Sequence, residues 1–385
     1  MKLKKMASSI IVSAMVVLGS FNLAYADGSN VVTLGVNLTP SQKQQMLDYF
    51  GVNKDEVLTL DVTNAEERKY LQGVASEAQL GKATISCSYV EPTSKGGINV
   101  KTANLTWVTS SMIASTLSTA GLDNANVIAA APYKVSGTGA LTGIMKAFED
   151  ASGEKLDETK KEIASEELVV TGNLGDEVGQ EKATGVMNDI KSEIIKNGTS
   201  DVIQIADTIN NITNNYNITL TPEQKKQIED IMAKISKQDY NYSSMKNTLE
   251  NVKDNVNEEL NNIGEGNNKG FFTKVKDWFA GLFSGGSGNV GILNNTNDDA
   301  LGSNAVIDST DKDVLKTSNN SSDNANSNSN NSSDNNTDNS TSNGDANQNA
   351  GDQDNELENN SNDQNKENQE DGFFTKLVNW VKGLF

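Results

Sequence analysis

Asn126-Val127-Ile128-Ala129-Ala130-Ala131-Pro132-Tyr133-Lys134-Val135-Ser136-Gly137-Thr138-Gly139-Ala140-Leu141-Thr142-Gly143-Ile144 is the stretch on which the fold turns. Residues 126–131, apolar after Asn126, read as a strand, and a glycine-punctuated turn separates them from a helical pattern over about 139–151. Strand, tight turn and helix in that order belong to a mixed α/β layer. Upstream, a helix is expected at about 109–121. Strands at 84–90 and 98–107 are expected to form a hairpin through Ser94-Lys95-Gly96-Gly97. The order is therefore a β-hairpin running into a β-α-β-α unit.

Further strands are expected at 31–36 and 57–62. Thr39-Pro40 reads as N-cap and first residue of a helix reaching Phe50. Asn64 is placed to cap a helix carrying Glu66, Glu67, Tyr70 and Leu71. From Leu156 to Ile263 the pattern turns helical. Leu220-Thr221-Pro222-Glu223-Gln224-Lys225 nearly repeats Leu38-Thr39-Pro40-Ser41-Gln42-Lys43, and two capped helices with the same start chemistry explain the likeness as well as duplication would. The fold class is α+β: a mixed α/β part over 30–155, then a mainly helical part over 156–263.

Val62-Thr63-Asn64-Ala65-Glu66-Glu67 with Tyr70-Leu71 is one motif; the run 130–144 followed by Lys146-Ala147-Phe148-Glu149 is a second. Together they closely resemble the secreted bacterial proteins grouped as domain-of-unknown-function family 1002, over roughly residues 30–260. The resemblance implies export and a Gram-positive bacterial source, and it carries no activity with it. The tail beyond about residue 264 lies outside it.

Export is also written in the first residues. Lys2, Lys4 and Lys5 precede an apolar stretch over 10–18, and Ala24-Tyr25-Ala26 supplies a small-x-small cleavage site. Residues 1–26 are therefore expected to be a cleaved signal peptide, and the mature chain to work outside the cytoplasm. The apolar stretch is far short of the roughly 20 residues a membrane span needs.

The net charge of −20 makes nucleic acid a poor partner, since such a field repels phosphate. There is no histidine, which removes Ser-His-Asp and Cys-His catalysis and the commonest zinc ligand. Any enzyme here would use carboxylates, Lys, Tyr, Ser or Thr, or an oxygen-ligated metal. Cys87, the only cysteine, sits in an apolar run and reads as a small buried hydrophobe.

Ser136, Gly137, Thr138 and Gly139 open a helix after a strand, where backbone N–H groups can cradle an anion. The spacing Gly137-x-Gly139-x-x-x-Gly143 departs from the dinucleotide fingerprint, and no P-loop Lys-Ser/Thr pair follows. No cofactor and no metal are expected. Asp345, Asn347, Asn349 and Glu356 match EF-hand positions only by composition, because Ala350 replaces the turn glycine. Ser243-x-x-Lys246 with Ser322-Asp323-Asn324 lacks its Lys-Thr-Gly partner. The adjacent acids Glu66-Glu67 and Glu166-Glu167 are expected to be solvated or capping.

The least explained feature is a repeat. Gly270-Phe271-Phe272-Thr273-Lys274-Val275-Lys276-Asp277-Trp278-Phe279-Ala280-Gly281-Leu282-Phe283 returns as Gly372-Phe373-Phe374-Thr375-Lys376-Leu377-Val378-Asn379-Trp380-Val381-Lys382-Gly383-Leu384-Phe385. As helices of roughly 21 Å, both gather aromatics on one face and are too short to span a bilayer. Residues 284–371, rich in Asn, Ser, Asp and Gly, are expected to be a disordered linker. Phe271, Phe272, Trp278, Phe279, Leu282 and Phe283, with Phe373, Phe374, Trp380, Leu384 and Phe385, are the expected contacts to a membrane surface or an envelope partner. The leading reading is a secreted, non-catalytic, envelope-associated binding protein. A carboxylate-dependent enzyme acting on an envelope polymer and a pure protein-interaction module are the alternatives; oligomeric state is left open.

Overall fold

The computed structural model describes residues 30–262, 291–311 and 314–315. Residues 1–26, expected from sequence to be a signal peptide, and both aromatic blocks lie outside them. Strand β1 (Val31–Gly35), helix α1 (Pro40–Phe50) and strand β2 (Leu58–Val62) open the fold as a β-α-β unit with parallel strands. Thr39 caps α1 in a reciprocal box with Gln42, and the same box recurs at Thr221 and Gln224, so the two similar stretches are indeed two helix starts.

Helix α2 (Asn64–Leu71) is capped by Thr63, not by Asn64. Thr63 keeps extended backbone, accepts the Glu66 N–H at 3.3 Å and receives the Glu66 carboxylate on its own N–H at 2.8 Å. Asn64 is thereby the first helical residue, and its side chain serves Glu67 and Arg68 instead. A single-turn helix α3 (Glu77–Leu80) leads to β3 (Cys87–Pro92), β4 (Ile98–Leu105), α4 (Ser110–Ala120), β5 (Ala125–Val135) and α5 (Ala140–Ser152).

The expected β3–β4 hairpin does not form. Strand order is β2-β1-β3-β5-β4-β6, so β5 lies between them, antiparallel to β3 and parallel to β4. The cause is the composition of β5: its residues Ala125–Ala131 are apolar on both faces apart from Asn126, and all are buried. Such a strand belongs in the middle of a sheet, and the crossover through α4 delivers it there. The β4-α4-β5-α5 unit itself forms as expected.

Five helices follow: α6 (Glu158–Val178), α7 (Gln180–Asn197), α8 (Val202–Asn215), α9 (Pro222–Ile235) and α10 (Tyr242–Asn262). The protein is α+β, and no described helix is long and apolar enough to cross a membrane. The sixth strand, β6 (Ile307–Ser309), pairs antiparallel with β4. It falls inside the tract expected to be disordered, so that expectation fails for 291–311. Ile292, Leu293, Leu301 and Ile307 pack on the sheet, a local apolar content that the average composition of the tract conceals.

Period-two alternation assigns the faces. Val127, Ala129 and Ala131 of β5 face α4, α5 and the helical half; Ile128 and Ala130 face α1 and the 291–311 segment. Cys87 lies on the second face, and burial pushes its thiol up to about 12, which suits a packing residue. Every residue of α4 is buried between the sheet and α6, α7 and α10. Beside it the Trp107 ring, fully buried, lies flush on Gly172 of α6 and donates its indole N–H to Asp176 at 2.9 Å. A Cβ at Gly172 would collide with three atoms of that ring. Gly172→Ala is therefore expected to lose about 1–3 kcal/mol in a denaturant titration despite the better helix propensity of Ala; an unchanged or raised midpoint would contradict this packing.

Candidate functional site

The two motifs that carry the family resemblance converge at the head of α5. Val135 ends β5, Gly137 takes positive φ (93°), and Gly139 opens α5 without a side-chain cap. Ser136 is half-buried, and its carbonyl accepts the Trp107 and Val108 N–H groups. Thr138 is buried and donates to the Gln79 carbonyl at 2.9 Å. Gly143, one turn on, stands over the Thr33–Ser88 hydroxyl pair (2.6 Å), where a Cβ would lie only 2.8 Å from Thr33 Oγ1. The glycines thus let α5 start close against the sheet.

Glu67 of α2 occupies the space above this start. Its carboxylate would collide with any Cβ at Gly139, and only 4% of the residue is exposed. Burial pushes its carboxyl up to about 7, against the pull of the Thr84 and Asn64 side chains. The group that meets the partly positive helix start is therefore the chain's own Glu67 carboxyl. At neutral pH this group can both give and take a proton.

Glu66 and Glu67, expected to be solvated or capping, have split roles. Glu66 caps α2, and Lys146 holds it at 2.6 Å while donating to the Asp61 carbonyl at 2.7 Å. On the other side Lys161, 5% exposed, joins Glu149 (2.9 Å) and Glu158 (2.5 Å) over the Tyr70 ring. Hydrogen bonds from Lys161 and Lys69 bring Glu158 down to about 2. Glu66, Glu67, Lys146 and Glu149 of the two motifs thus each have an intramolecular contact.

Two further polar clusters lie inside the fold. Glu166 is paired with Lys234, but its neighbour Glu167 is buried against Lys191, so the solvated reading fails for it too. Lys191 Nζ donates to Glu167 Oε1 (2.7 Å), the Ser115 carbonyl (2.6 Å) and the Ser115 and Thr119 hydroxyls (2.9 Å each). The helical register carried a signal for it: Ile163, Glu167, Thr171 and Leu174 share one face of α6, as do Met187, Lys191 and Ile194 on α7. On the opposite side of the sheet Lys101, 1% exposed, donates to Thr296 at 2.6 Å and Asp298 at 3.1 Å. Among the described residues no group of acids or Cys could hold a metal. Phe271, Trp278, Phe373, Trp380 and the other expected contact residues of the aromatic blocks lie outside the described residues.

A family model for proteins of unknown function, DUF1002, matches residues 34–252. YpuA of Bacillus subtilis (strain 168), a protein named as uncharacterized, is 37% identical over 287 residues, spanning 73% of this chain and 98% of the relative. No solved structure matches. The matched region contains both motifs, the α5 turn and the buried Lys191–Glu167 pair, and it ends before the segment that supplies β6. This chain belongs to the DUF1002 family.

Proposed function

We propose that this protein is an exported binding protein attached to a membrane surface of the cell envelope by the Phe/Trp blocks at 270–283 and 372–385. The observation that carries the reading is the docking of residues 291–311 on the sheet. Seven residues separate the first block from Asn262 and seven separate it from Gly291, and both of those residues belong to the folded body. Even fully extended, those connections hold each end of the block within roughly 29 Å of its own attachment point. The second block follows Leu315 on a chain whose contour is at most roughly 205 Å. One block is thus kept near the body and the other on a long tether, an arrangement that adds avidity when both meet one surface.

Read as a helix, each block would gather large aromatics on one face with its lysines elsewhere, the composition that seats a short helix at the acyl boundary. Co-sedimentation of the mature protein with liposomes is expected to fall about tenfold or more when Trp278 and Trp380 are both replaced by Ala. If wild type and double variant both remain in the supernatant, with or without anionic lipid, the membrane reading fails. The second reading, a carboxylate-dependent enzyme on an envelope polymer, is favoured by one group only. Glu67 has the neutral-range carboxyl that acid/base work requires. Polymer cleavage lost in Glu67→Gln with liposome binding intact would support it.

A further inference from the structure

The contacts of residues 291–311 resemble those of a bound peptide more than those of a core element. The segment contributes no helix longer than one 3-10 turn and only three strand residues. Its grip is made along the β4 edge and across the neighbouring sheet face, where the Gln45 amide donates to the Ala300 carbonyl at 2.9 Å and the Asn297 N–H to the Tyr49 carbonyl at 2.8 Å. Residues 101–103 of β4 pair with β6, and Val100 exchanges two hydrogen bonds with Thr310, each 2.9 Å. Asn104, held at φ 60°, exchanges two more with the Val306 backbone, at 2.8 and 3.2 Å.

Three charged or dipolar features then read the segment's chemistry. The Lys101 ammonium takes Asp298, with Thr296 bridging the two. The Ser110 N–H, in the first turn of α4, donates to the Asp308 carboxylate at 2.8 Å. The Glu91 carboxylate, itself fixed by Asn126 at 2.8 Å, accepts the Ile292 N–H at 3.3 Å. Ile292 and Leu293 fill apolar seats in the cluster built on α1 and the sheet. The larger core, which unites the other face of the sheet with α4–α10, contains no residue of the segment.

We infer that the β4 edge is a docking groove for an extended acidic segment. Residues 291–311 fill it in cis, and the same segment of a second copy can fill it in trans. Strand addition supplies sequence-independent pairing, while Lys101 and the start of α4 select two acids at the spacing of Asp298 and Asp308. Withdrawal of the segment would hydrate Lys101 and the α4 start instead of orphaning them in the interior, so an open groove carries no buried unpaired charge.

The test uses the full mature chain with a protease site placed within residues 284–290. After cleavage the C-terminal piece is expected to co-elute with the body on sizing. An excess of labelled synthetic peptide 291–315 is then expected to displace it. A peptide carrying Asp298→Asn and Asp308→Asn should compete about tenfold or more weakly. Immediate separation of the two pieces, with the body still folded by circular dichroism, would overturn docking. Retention without any exchange would make the segment a permanent part of the core. Equal competition by both peptides would remove the assigned recognition.

Discussion

Replacing Lys191 with Met is expected to destabilise the protein by about 3–5 kcal/mol, the largest loss of any single substitution considered for this fold. Lys191 and Glu167 are 0% and 1% exposed, and they meet where α4, α6 and α7 pack together. Removal of the ammonium leaves a buried carboxylate whose remaining partner is the Thr119 hydroxyl, and it takes from the Ser115 carbonyl one of two donors at 2.6 Å, the other being the Ser118 hydroxyl. Burial already pulls the Lys191 amine below its ordinary value, so the pair stands on mutual attraction working against desolvation. Such a pair is costly to break and cheap to replace whole. Lys191→Met with Glu167→Leu is expected to recover most of the loss, since both charges leave together and the volumes are similar. Urea titrations of the two variants decide the matter. A single variant within about 1 kcal/mol of wild type, or a double variant as weak as the single, would show that the pair does not bear on stability in this way.

The helix starts at Thr39-Pro40 and Thr221-Pro222 were legible because the capping box is closed within four residues of chain. The β4-α4-β5-α5 order was legible for a similar reason, since each element announces itself by its own period. Pairing is different in kind. Gly96 and Gly97 make a good turn, yet β3 and β4 are parted by β5, and only the burial of β5 on both faces decides that. β6 was hidden because three strand residues carry too little pattern to stand out in an Asn- and Asp-rich tract. At the candidate site the Gly137–Gly139 turn was readable, but its occupant was not. Glu67 reaches Gly139 from a different helix, and no local spacing connects them. Adjacent acids on a helix look alike in sequence; their neighbours in space make Glu66 a cap and Glu67 a buried acid.

Glu67 should make stability fall as pH rises from about 5 to 8. Its folded-state carboxyl, at about 7, lies above the ordinary 4.5, so the native protein binds the extra proton between those values. Stability therefore declines through that window and is lowest above it, by up to about 3 kcal/mol from this one group. Glu67→Gln keeps the shape that fits against Gly139 and cannot ionise. The variant should match wild type near pH 4.5 and exceed it by about 2–3 kcal/mol at pH 8. Asp176 and Asp254, each raised to about 6 mainly by burial, bend both curves in the same sense and cancel in the difference. Glu66, Glu149 and Glu158 are held below their ordinary range, so their contributions are lost only at more acidic pH. Arg68 favours the charged form of Glu67, but its guanidinium is already clamped on Glu77 at 3.0 and 2.8 Å, and burial remains the dominant influence. Parallel stability curves for the two proteins from pH 5 to 8 would mean that the helix start stabilises the Glu67 carboxylate as fully as water does. A gap that opens toward alkaline pH would mean that the helix start and its neighbours fall short of that, and that α5 begins against an acid protonated through much of the neutral range.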